Sequence, residues 1–394
     1  MNTRRLFSLF LVTMLFMLGV SVMAQDEAPT PHVFTVPENP PEYTEEQLAD
    51  NAYLQSVVRR LTEEYDTSAF KKDPPYRIAL AAQGPTNSWA ALFDEHARWY
   101  VDQLGTDVVS ELLYADANGS ADVQVPQVED LLAQDPDALI LVPMGRAALS
   151  APVERAMAQG VPVVLCASGV DTDNFVTEVG TNLYSSGERW AQWLVDKLGG
   201  EGNIVQLNGI PGVDTAETEA LGAEAVWAAN PGITVLDAQY GNWSTSEAKQ
   251  VMEQWIAQYG DQIQGVWSGG AQMSMGVISA YLDAGLPIPP IGGGEYMQGF
   301  LRLAAENNVE FYAVQYPDAM VILCIDAALQ ILRGDPIPRY IDFRDYLERT
   351  QDFSNEDMDQ FYNPNWSDDV FGPVFLPDER MIELGYLTTP ESSG

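Results

Sequence analysis

The groups best suited to holding a small molecule lie in the turn that follows the first apolar strand of the core. Gln83, Thr86 and Asn87 supply amide and hydroxyl groups in this turn, and Trp89 follows where a helix is predicted to begin. Open α/β sheets bind ligands at the carboxyl ends of their strands, beside loops of this kind. Because similar strand–loop–helix units recur along the chain, the pattern favours a receptor for a small solute over a catalyst.

Motifs for catalysis or metal binding are hard to find in the sequence. The two histidines are His32, in the leader, and His96, near the apolar side of the first core helix, where a packed histidine is the simplest interpretation. There is no cysteine–histidine cluster, no G-x-S-x-G elbow, no Walker phosphate loop and no G-x-G-x-x-G after the first strand. We therefore expect no catalytic residue, no metal and no cofactor.

A pair of carboxylates, Glu217 and Glu219, begins a later predicted helix. A glycosidase places two carboxylates on either side of the bond that it cleaves. Residues two apart on a helix point to different sides, so these two do not form such a pair. They either contact a ligand or complement the positive end of the helix dipole.

The overall charge of the chain is strongly acidic. Its 57 acidic and 19 basic residues give a formal net charge of −38. An acidic surface repels phosphate backbones and anionic lipid head groups, so nucleic acid is not an expected partner.

The N-terminal residues are typical of a secretory signal peptide. Arg4 and Arg5 precede an apolar run over residues 6–22, and Val22-Met23-Ala24 resembles a small-residue cleavage site. The alternative is a membrane anchor, although an apolar run of about 17 residues is at the short limit for a bilayer span. We expect cleavage near Ala24 and a soluble protein exported to the periplasm or the extracellular space.

The two cysteines lie in apolar surroundings far apart in the sequence. Cys166 ends an apolar strand and Cys324 lies in an apolar helix. Both fit small buried hydrophobic residues, and an exported protein also permits a disulfide between them. The sequence alone leaves this choice open.

From residue 76 onward, predicted strands and helices alternate. Continuous apolar runs at residues 138–142 and 161–165 suit parallel strands that are covered by helices on both faces. About 270 residues of alternating elements are too many for one small core, which indicates two domains.

Two segments flank this alternating core. An N-terminal arm is expected over residues 25–75, with one helix from Thr44. Residues 345–394 are rich in aromatic and acidic residues and in proline. Since so many aromatic side chains need burial, we expect an ordered tail that wraps the core rather than a disordered acidic tail.

The order of these motifs resembles the type I periplasmic binding proteins of ABC importers, in particular the ribose-type sugar-binding group. The resemblance covers residues 76–344 and rests on segments that match the family's opening unit, second helix, first crossover and last helix: IALAAQGPTNSWAALF, QVEDLLAQDPDALILVP, VGTNLYSSGERWAQWLV and VQYPDAMVILCIDAALQILRG. It implies an α/β fold with two Rossmann-like lobes whose parallel sheets are joined by a three-crossover hinge. Lobe 1 is then expected over residues 76–180 and 317–344, and lobe 2 over residues 181–316.

The resemblance also implies roles for single residues. Gln83, Asn87 and Trp89 match polar and aromatic positions at the first strand and loop. Trp243 matches an aromatic position of the second lobe, and Gln315 matches the hinge glutamine. Core packing is the alternative for each tryptophan, and loop or hinge structure is the alternative for Asn87 and Gln315.

The family's charged ligand positions are altered in this chain. Its Asp-Arg pair after the fourth strand is here Ala167-Ser168, and its second-lobe arginine falls near Glu219. Its Asn-Asp pair falls near Gly270-Ala271, and its late aspartate falls at Gly294. The ring of charges that clamps a pentose or hexose is therefore largely absent, and the ligand is expected to differ from ribose.

Several side chains near these positions are expected to replace that ring. They are Glu217, Glu219, Gln272 and Glu295. Arg146, which follows the third strand, is either a cationic donor to the ligand or a surface arginine. Three carboxylates converging between two indoles would favour an organic cation, whereas scattered amides with one carboxylate would favour a neutral sugar or polyol.

The resemblance implies a monomeric extracytoplasmic protein that captures a small solute, most simply a sugar or polyol, and delivers it to an ABC permease. A binder of an organic cation or signalling molecule with the same fold is the alternative. A carbohydrate-processing enzyme would need two carboxyl groups at catalytic separation, one with a raised pKa. A sensory receptor ectodomain has the same fold, but no second membrane span supports it.

Overall fold

The computed structural model describes residues 29–388, except for residues 39, 42 and 50 and the side chains of residues 46 and 47. The predicted signal peptide, residues 1–24, lies outside the described residues. Within them, no helix is both long and apolar enough to cross a bilayer.

The strands are short, and most are apolar. In chain order they are β1 (Glu64–Tyr65), β2 (Tyr76–Ala82), β3 (Val109–Asp116), β4 (Ala138–Leu141), β5 (Val163–Cys166), β6 (Thr177–Gly180), β7 (Gly202–Asn208), β8 (Ile233–Tyr240), β9 (Gly265–Ser268), β10 (Ile291–Gly292), β11 (Phe311–Ala313), β12 (Ile337–Pro338), β13 (Tyr340–Asp342) and β14 (Phe353–Ser354).

The helices alternate with the strands through most of the core. They are α1 (Glu45–Leu48), α2 (Ala52–Thr62), α3 (Ser88–Leu104), α4 (Ala121–Leu132), α5 (Arg146–Ala158), α6 (Leu183–Lys197), α7 (Asp214–Ala229), α8 (Thr245–Tyr259), α9 (Ala271–Ala284), α10 (Gln298–Asn307), α11 (Met320–Arg333), α12 (Met358–Phe361) and α13 (Asp378–Glu383).

Two six-stranded sheets form the centres of two lobes. The first has the order β13-β6-β5-β4-β2-β3 with parallel pairing throughout. The second has the order β14-β11-β10-β9-β7-β8 and is parallel except where β14 runs antiparallel to β11. β4 and β5 are buried along their whole length, as expected for strands covered by helices on both faces.

The chain passes between the two sheets three times, after β6, after β11 and after β13. This confirms the predicted α/β architecture of two Rossmann-like lobes joined by three crossovers. We propose residues 76–180 with 317–344 as lobe 1 and residues 181–316 as lobe 2.

The N-terminal arm contains one more helix than the sequence suggested. α1 follows Thr44 as predicted, and the longer α2 follows it. The Asn51 side chain caps α2 by accepting a hydrogen bond from the backbone N–H of Leu54. On the buried face of α2, the Arg60 guanidinium pairs with the Glu178 carboxylate of β6, so the arm is attached to the first sheet.

The cysteine pairing that the sequence left open is resolved. Cys166, at the end of β5, forms a disulfide with Cys324 in α11. Both residues are fully buried. The two cysteines are 158 positions apart in the sequence. The loop that the bond closes contains every strand of the second sheet except β14.

Candidate functional site

A cavity lies between the two lobes, at the carboxyl ends of strands from both sheets. The predicted site residues that line it are Gln83, Asn87, Trp89, Glu219, Trp243, Gln272 and Glu295. Strand ends of parallel sheets are where ligands bind in such folds, so the cavity is the candidate binding site.

The polar part of the first-lobe wall comes from the turn between β2 and α3. The Asn87 side-chain oxygen accepts a hydrogen bond from the backbone N–H of Ala90, 2.9 Å away, and so caps α3. The Gln83 amide nitrogen donates to the Thr86 hydroxyl over 3.1 Å. These local bonds leave the side-chain N–H groups of Asn87 available to donate to a ligand and the side-chain carbonyl of Gln83 available to accept from one.

Trp89 supplies the aromatic part of the same wall. Its ring stacks on Phe93 at a centroid distance of 5.1 Å and on Tyr316 at 6.1 Å. Its indole N–H donates to the Tyr316 carbonyl over 2.8 Å. The indole is therefore held from two sides while part of it borders the cavity.

Trp243 faces the cavity from the second lobe, and two glycines make room for it. A Cβ atom at Gly209 would lie 2.3 Å from the indole Cε2, and one at Gly270 would lie 2.9 Å from Cδ1. The indole N–H donates to the Gly269 carbonyl over 2.8 Å. Trp243 itself has a left-handed backbone with φ of 49°, so the loop geometry is adapted to this ring.

Two carboxyl groups lie beside the glycines that follow β9. A Cβ atom at Gly269 would be 3.5 Å from Glu219 Oε2, and one at Gly270 would be 3.6 Å from Glu295 Oε2. Glu295 accepts a hydrogen bond from the Ala271 N–H, the first of α9, over 3.0 Å. Glu219 is 4% exposed, and none of the described residues donates a hydrogen bond to its carboxyl group.

Burial controls the protonation of both carboxyl groups. It raises the pKa of Glu295 to about 7, partly opposed by the Ala271 N–H. Burial also raises the pKa of Glu219 well above its ordinary value, and the neighbouring charges of Glu295 and Asp214 raise it further. Like charges in a low-dielectric site disfavour ionisation of one another. Both carboxyl groups therefore keep their protons to a higher pH than an exposed glutamate does.

Three predicted contacts lie away from the cavity lining. Arg146 instead forms ion pairs with Asp171 and Asp214, at 2.9 Å and 2.8 Å. Glu217 accepts hydrogen bonds from the Gly212 N–H and the Tyr240 hydroxyl.

Gln315, the third predicted contact outside the lining, is only 1% exposed, and both polar atoms of its side-chain amide lack a partner among the described residues.

Because Glu217 does not line the cavity, the lining has two carboxyl groups rather than three, together with the amides of Gln83, Asn87 and Gln272. This set is intermediate between the pattern expected for a cation and that for a neutral polyol.

Other cavity residues were not foreseen from the sequence. They include Ser168, Thr215, Tyr316 and the apolar residues Val142, Pro143, Met144 and Val213. Ser168 replaces half of the family's charged pair, and its buried hydroxyl has no partner among the described residues. Tyr316 directly follows the hinge glutamine position, which was the available signal for it.

The lobes contact each other beside the cavity. The Thr215 hydroxyl of lobe 2 donates to the Ala167 carbonyl of lobe 1 over 3.1 Å, and the Arg146 N–H donates to the Gly212 carbonyl over 3.1 Å. The Tyr316 hydroxyl also donates to the Ala167 carbonyl. These bonds describe a closed arrangement. Among the described residues, no cluster of His, Cys, Asp or Glu is suited to holding a metal ion.

Comparison with known proteins gives a consistent family match. Residues 78–336 match a family model described as a periplasmic binding protein domain. The xylitol-binding protein of Mycolicibacterium smegmatis is 33% identical over 229 residues, which are 58% of this chain and 65% of that protein. The chain thus spans slightly less than two thirds of that relative. The ribose import binding protein of Bacillus subtilis is 28% identical over 231 residues, 59% of this chain and 74% of that protein.

Solved structures show the same fold. The periplasmic binding protein component of the arabinose ABC transporter from Shewanella, bound to L-arabinofuranose, superposes with a TM-score of 0.65 at 24% identity, covering 72% of this chain and 93% of that one. A galactofuranose-binding protein superposes with a TM-score of 0.66 at 20% identity, covering 73% and 97%.

Proposed function

Because the chain belongs to the periplasmic binding protein domain family, we propose that it is the extracytoplasmic solute-binding component of an ABC importer. In this proposal, the cavity between the lobes captures a small polyhydroxylated solute, a sugar or polyol. The proposed ligand contacts are the seven predicted site residues that line the cavity: Gln83, Asn87, Trp89, Glu219, Trp243, Gln272 and Glu295.

One observation carries the proposal: indoles and amides from both lobes converge on the same cavity. A sugar or polyol presents many hydroxyls together with mildly apolar C–H surface. Trp89 and Trp243 offer flat apolar faces at small entropic cost, while Gln83, Asn87 and Gln272 exchange hydrogen bonds with hydroxyls. Leaving such buried polar groups unpaired costs about 1–3 kcal/mol each, which gives the cavity its selectivity.

The names of the relatives support the chemical class. They are described as binding xylitol or importing ribose, and the matched structures hold furanose sugars or are named for them. The altered charged positions argue that the ligand is not ribose itself.

Binding without bond chemistry, export to the periplasm or extracellular space, action as a monomer and delivery to a membrane permease all follow from this proposal. The excess of acidic residues argues against nucleic acid as a partner. Lobe closure about the three crossovers is the expected working motion.

The experiment is a thermal-shift screen against sugars, polyols, nucleosides and quaternary amines. A ligand present at about 100 times its Kd stabilises the folded state by about 2.7 kcal/mol. At least one sugar or polyol is expected to raise the melting temperature, and Trp89→Ala and Trp243→Ala are expected to reduce that rise. A screen without any shift argues against the proposed function.

A further inference from the structure

The hydrogen-bonding groups of the cavity are mostly acceptors. Glu219 and Glu295 contribute carboxyl oxygens, and Gln83 presents its side-chain carbonyl while one of its two amide N–H groups donates to Thr86. Donors are fewer. They are the second amide N–H of Gln83, the Asn87 amide nitrogen, the Gln272 amide, which makes no hydrogen bond with a described residue, and the Ser168 hydroxyl. A hydroxyl both donates and accepts, so a purely neutral polyol would leave acceptors in excess whenever both carboxyl groups are ionised.

No positive side chain among the described residues lines the cavity. The nearby guanidinium of Arg146 is engaged by Asp171 and Asp214. Glu219 is 4% exposed without a hydrogen-bond donor, and the Ser168 hydroxyl, 2% exposed, also lacks a partner among the described residues. Such groups are available to hydrogen-bond a ligand that enters the cavity.

The two indoles fit the same chemistry. A cation placed over an aromatic face is attracted by the ring electrons, and tryptophan is the most effective ring. Trp89 and Trp243 both border the cavity, from opposite lobes. Their N–H groups donate to backbone carbonyls, and Trp89 also stacks on Phe93 and Tyr316. The ring surface that borders the cavity is therefore what each indole offers to a ligand.

Building on the proposed function, we propose that the solute carries a protonated amine beside its hydroxyl groups, as an amino sugar or amino polyol does. The ammonium group is held by the carboxyl groups of Glu219 and Glu295, and the hydroxyls are held by the amides. An ammonium has three donors and no acceptor, which matches the excess of acceptors. Its charge also offsets the cost of burying carboxylates.

The proposal gives binding a defined pH dependence. The charges of Glu295 and Asp214 act on Glu219, which in turn acts on Tyr316. Glu295 acts on Asp318 and accepts a hydrogen bond from the Ala271 N–H. Burial raises the pKa of Glu295 to about 7, so acidification protonates the group that the ammonium requires. Affinity for an amine is therefore expected to fall as the pH drops below about 7, whereas affinity for a neutral polyol is not.

Calorimetric titration with matched probes tests this proposal. The pairs are glucamine with sorbitol, serinol with glycerol, and glucosamine with glucose, each measured at about pH 8 and about pH 5.5, on either side of the pKa of Glu295. In at least one pair, the amine is expected to bind more than about tenfold tighter than its neutral partner at the higher pH. This preference is expected to shrink at the lower pH.

Conservative variants identify the groups responsible. Glu219→Gln and Glu295→Gln are expected to reduce the amine preference, measured as the ratio of the two Kd values within each pair, whereas an exposed change is expected to leave that ratio unaltered. Glu224→Gln is the matched control, because Glu224 lies on the same helix as Glu219 and is exposed. Thermal unfolding of each variant verifies that it is folded.

The outcomes separate the two proposals. Neutral probes that bind as tightly as amines at both pH values overturn the amine inference and leave the proposed function standing. An amine preference that survives both glutamine variants also overturns the inference. If none of these probes and none of the compounds in the thermal-shift screen binds, the proposed function itself fails.

Discussion

The Asp214 carboxylate of lobe 2 lies 2.8 Å from the Arg146 guanidinium of lobe 1. Asp214 is 3% exposed and also accepts hydrogen bonds from the Gly169 N–H of lobe 1 and from the Thr218 hydroxyl. A single buried carboxylate at the start of α7 is thus held by two groups of the opposite lobe. These contacts require the lobes to be closed, so they stabilise the closed form beside the cavity.

Removal of the guanidinium is expected to speed ligand release. Arg146→Met deletes the charge and keeps the aliphatic stem, which leaves Asp214 with fewer donors. Because Arg146 is partly exposed, we expect the variant to lose about 1 kcal/mol of the free energy that favours the closed form. This loss corresponds to a roughly fivefold faster release of the ligand. Stopped-flow fluorescence measures this rate.

A matched control for this test is Arg155→Met. Arg155 lies on the same helix and pairs with Glu129, which is also in lobe 1, so release is expected at the normal rate. Equal release rates for both variants would show that the Arg146–Asp214 pair does not hold the lobes together.

The disulfide is expected to be a major source of stability. Cys166 and Cys324 are fully buried and join β5 to α11 within lobe 1. Replacing both by alanine is expected to lower the free energy of unfolding by about 2–5 kcal/mol, as measured by urea denaturation. A reducing agent is expected to weaken the wild-type protein and to leave the variant unchanged. An equal response of both proteins to the reducing agent would contradict this role.

The stability of the ligand-free protein is expected to depend on Glu295. Burial raises the pKa of Glu295 to about 7, so its protonated form favours the folded state. That contribution is complete below the ordinary glutamate value of about 4.3 and is lost as the pH rises to about 7. Each unit of pKa difference corresponds to about 1.4 kcal/mol.

Urea denaturation over this pH range measures the effect. Glu295→Gln stays neutral, so the variant is expected to lose less stability than the wild type between about pH 4.5 and pH 7. Glu224→Gln, an exposed change, is expected to follow the wild-type profile. Parallel profiles for wild type and Glu295→Gln would mean that this carboxyl does not retain its proton in the folded state.

The C-terminal tail is expected to contribute to the stability of lobe 2. Phe353 in β14 is 2% exposed and stacks on Phe361 at a centroid distance of 4.1 Å. Phe353→Ala is expected to cost about 3–5 kcal/mol, measured by chemical denaturation. Phe375→Ala is the control, because Phe375 is 36% exposed and its loss is expected to cost much less. Similar small losses for both would count against an ordered, packed tail.

The first wall of the cavity was predictable because its geometry is local. Gln83, Asn87 and Trp89 are arranged by one strand, one turn and one helix start, and Asn87 caps the helix that carries Trp89. The sequence pattern contains all of that information. The same holds for the parallel strands, whose apolar runs indicate burial on both faces.

The remaining features depend on partners distant in sequence. Arg146 pairs with Asp214 across the lobes, and no local pattern distinguishes this from ligand binding. The role of Glu219 depends on burial beside Glu295, which follows a different strand. β14 has two residues and forms by pairing with β11, so its own sequence carries almost no strand signal.

The most direct measurement is a calorimetric titration of the sugar or polyol that gives the largest thermal shift in the screen. The wild-type protein is expected to bind it at one site, and Trp243→Ala is expected to bind it at least about tenfold more weakly. Trp193→Ala is the control, because Trp193 stacks on Tyr312 and does not line the cavity. Equal affinity in all three proteins would contradict binding between the lobes at Trp243.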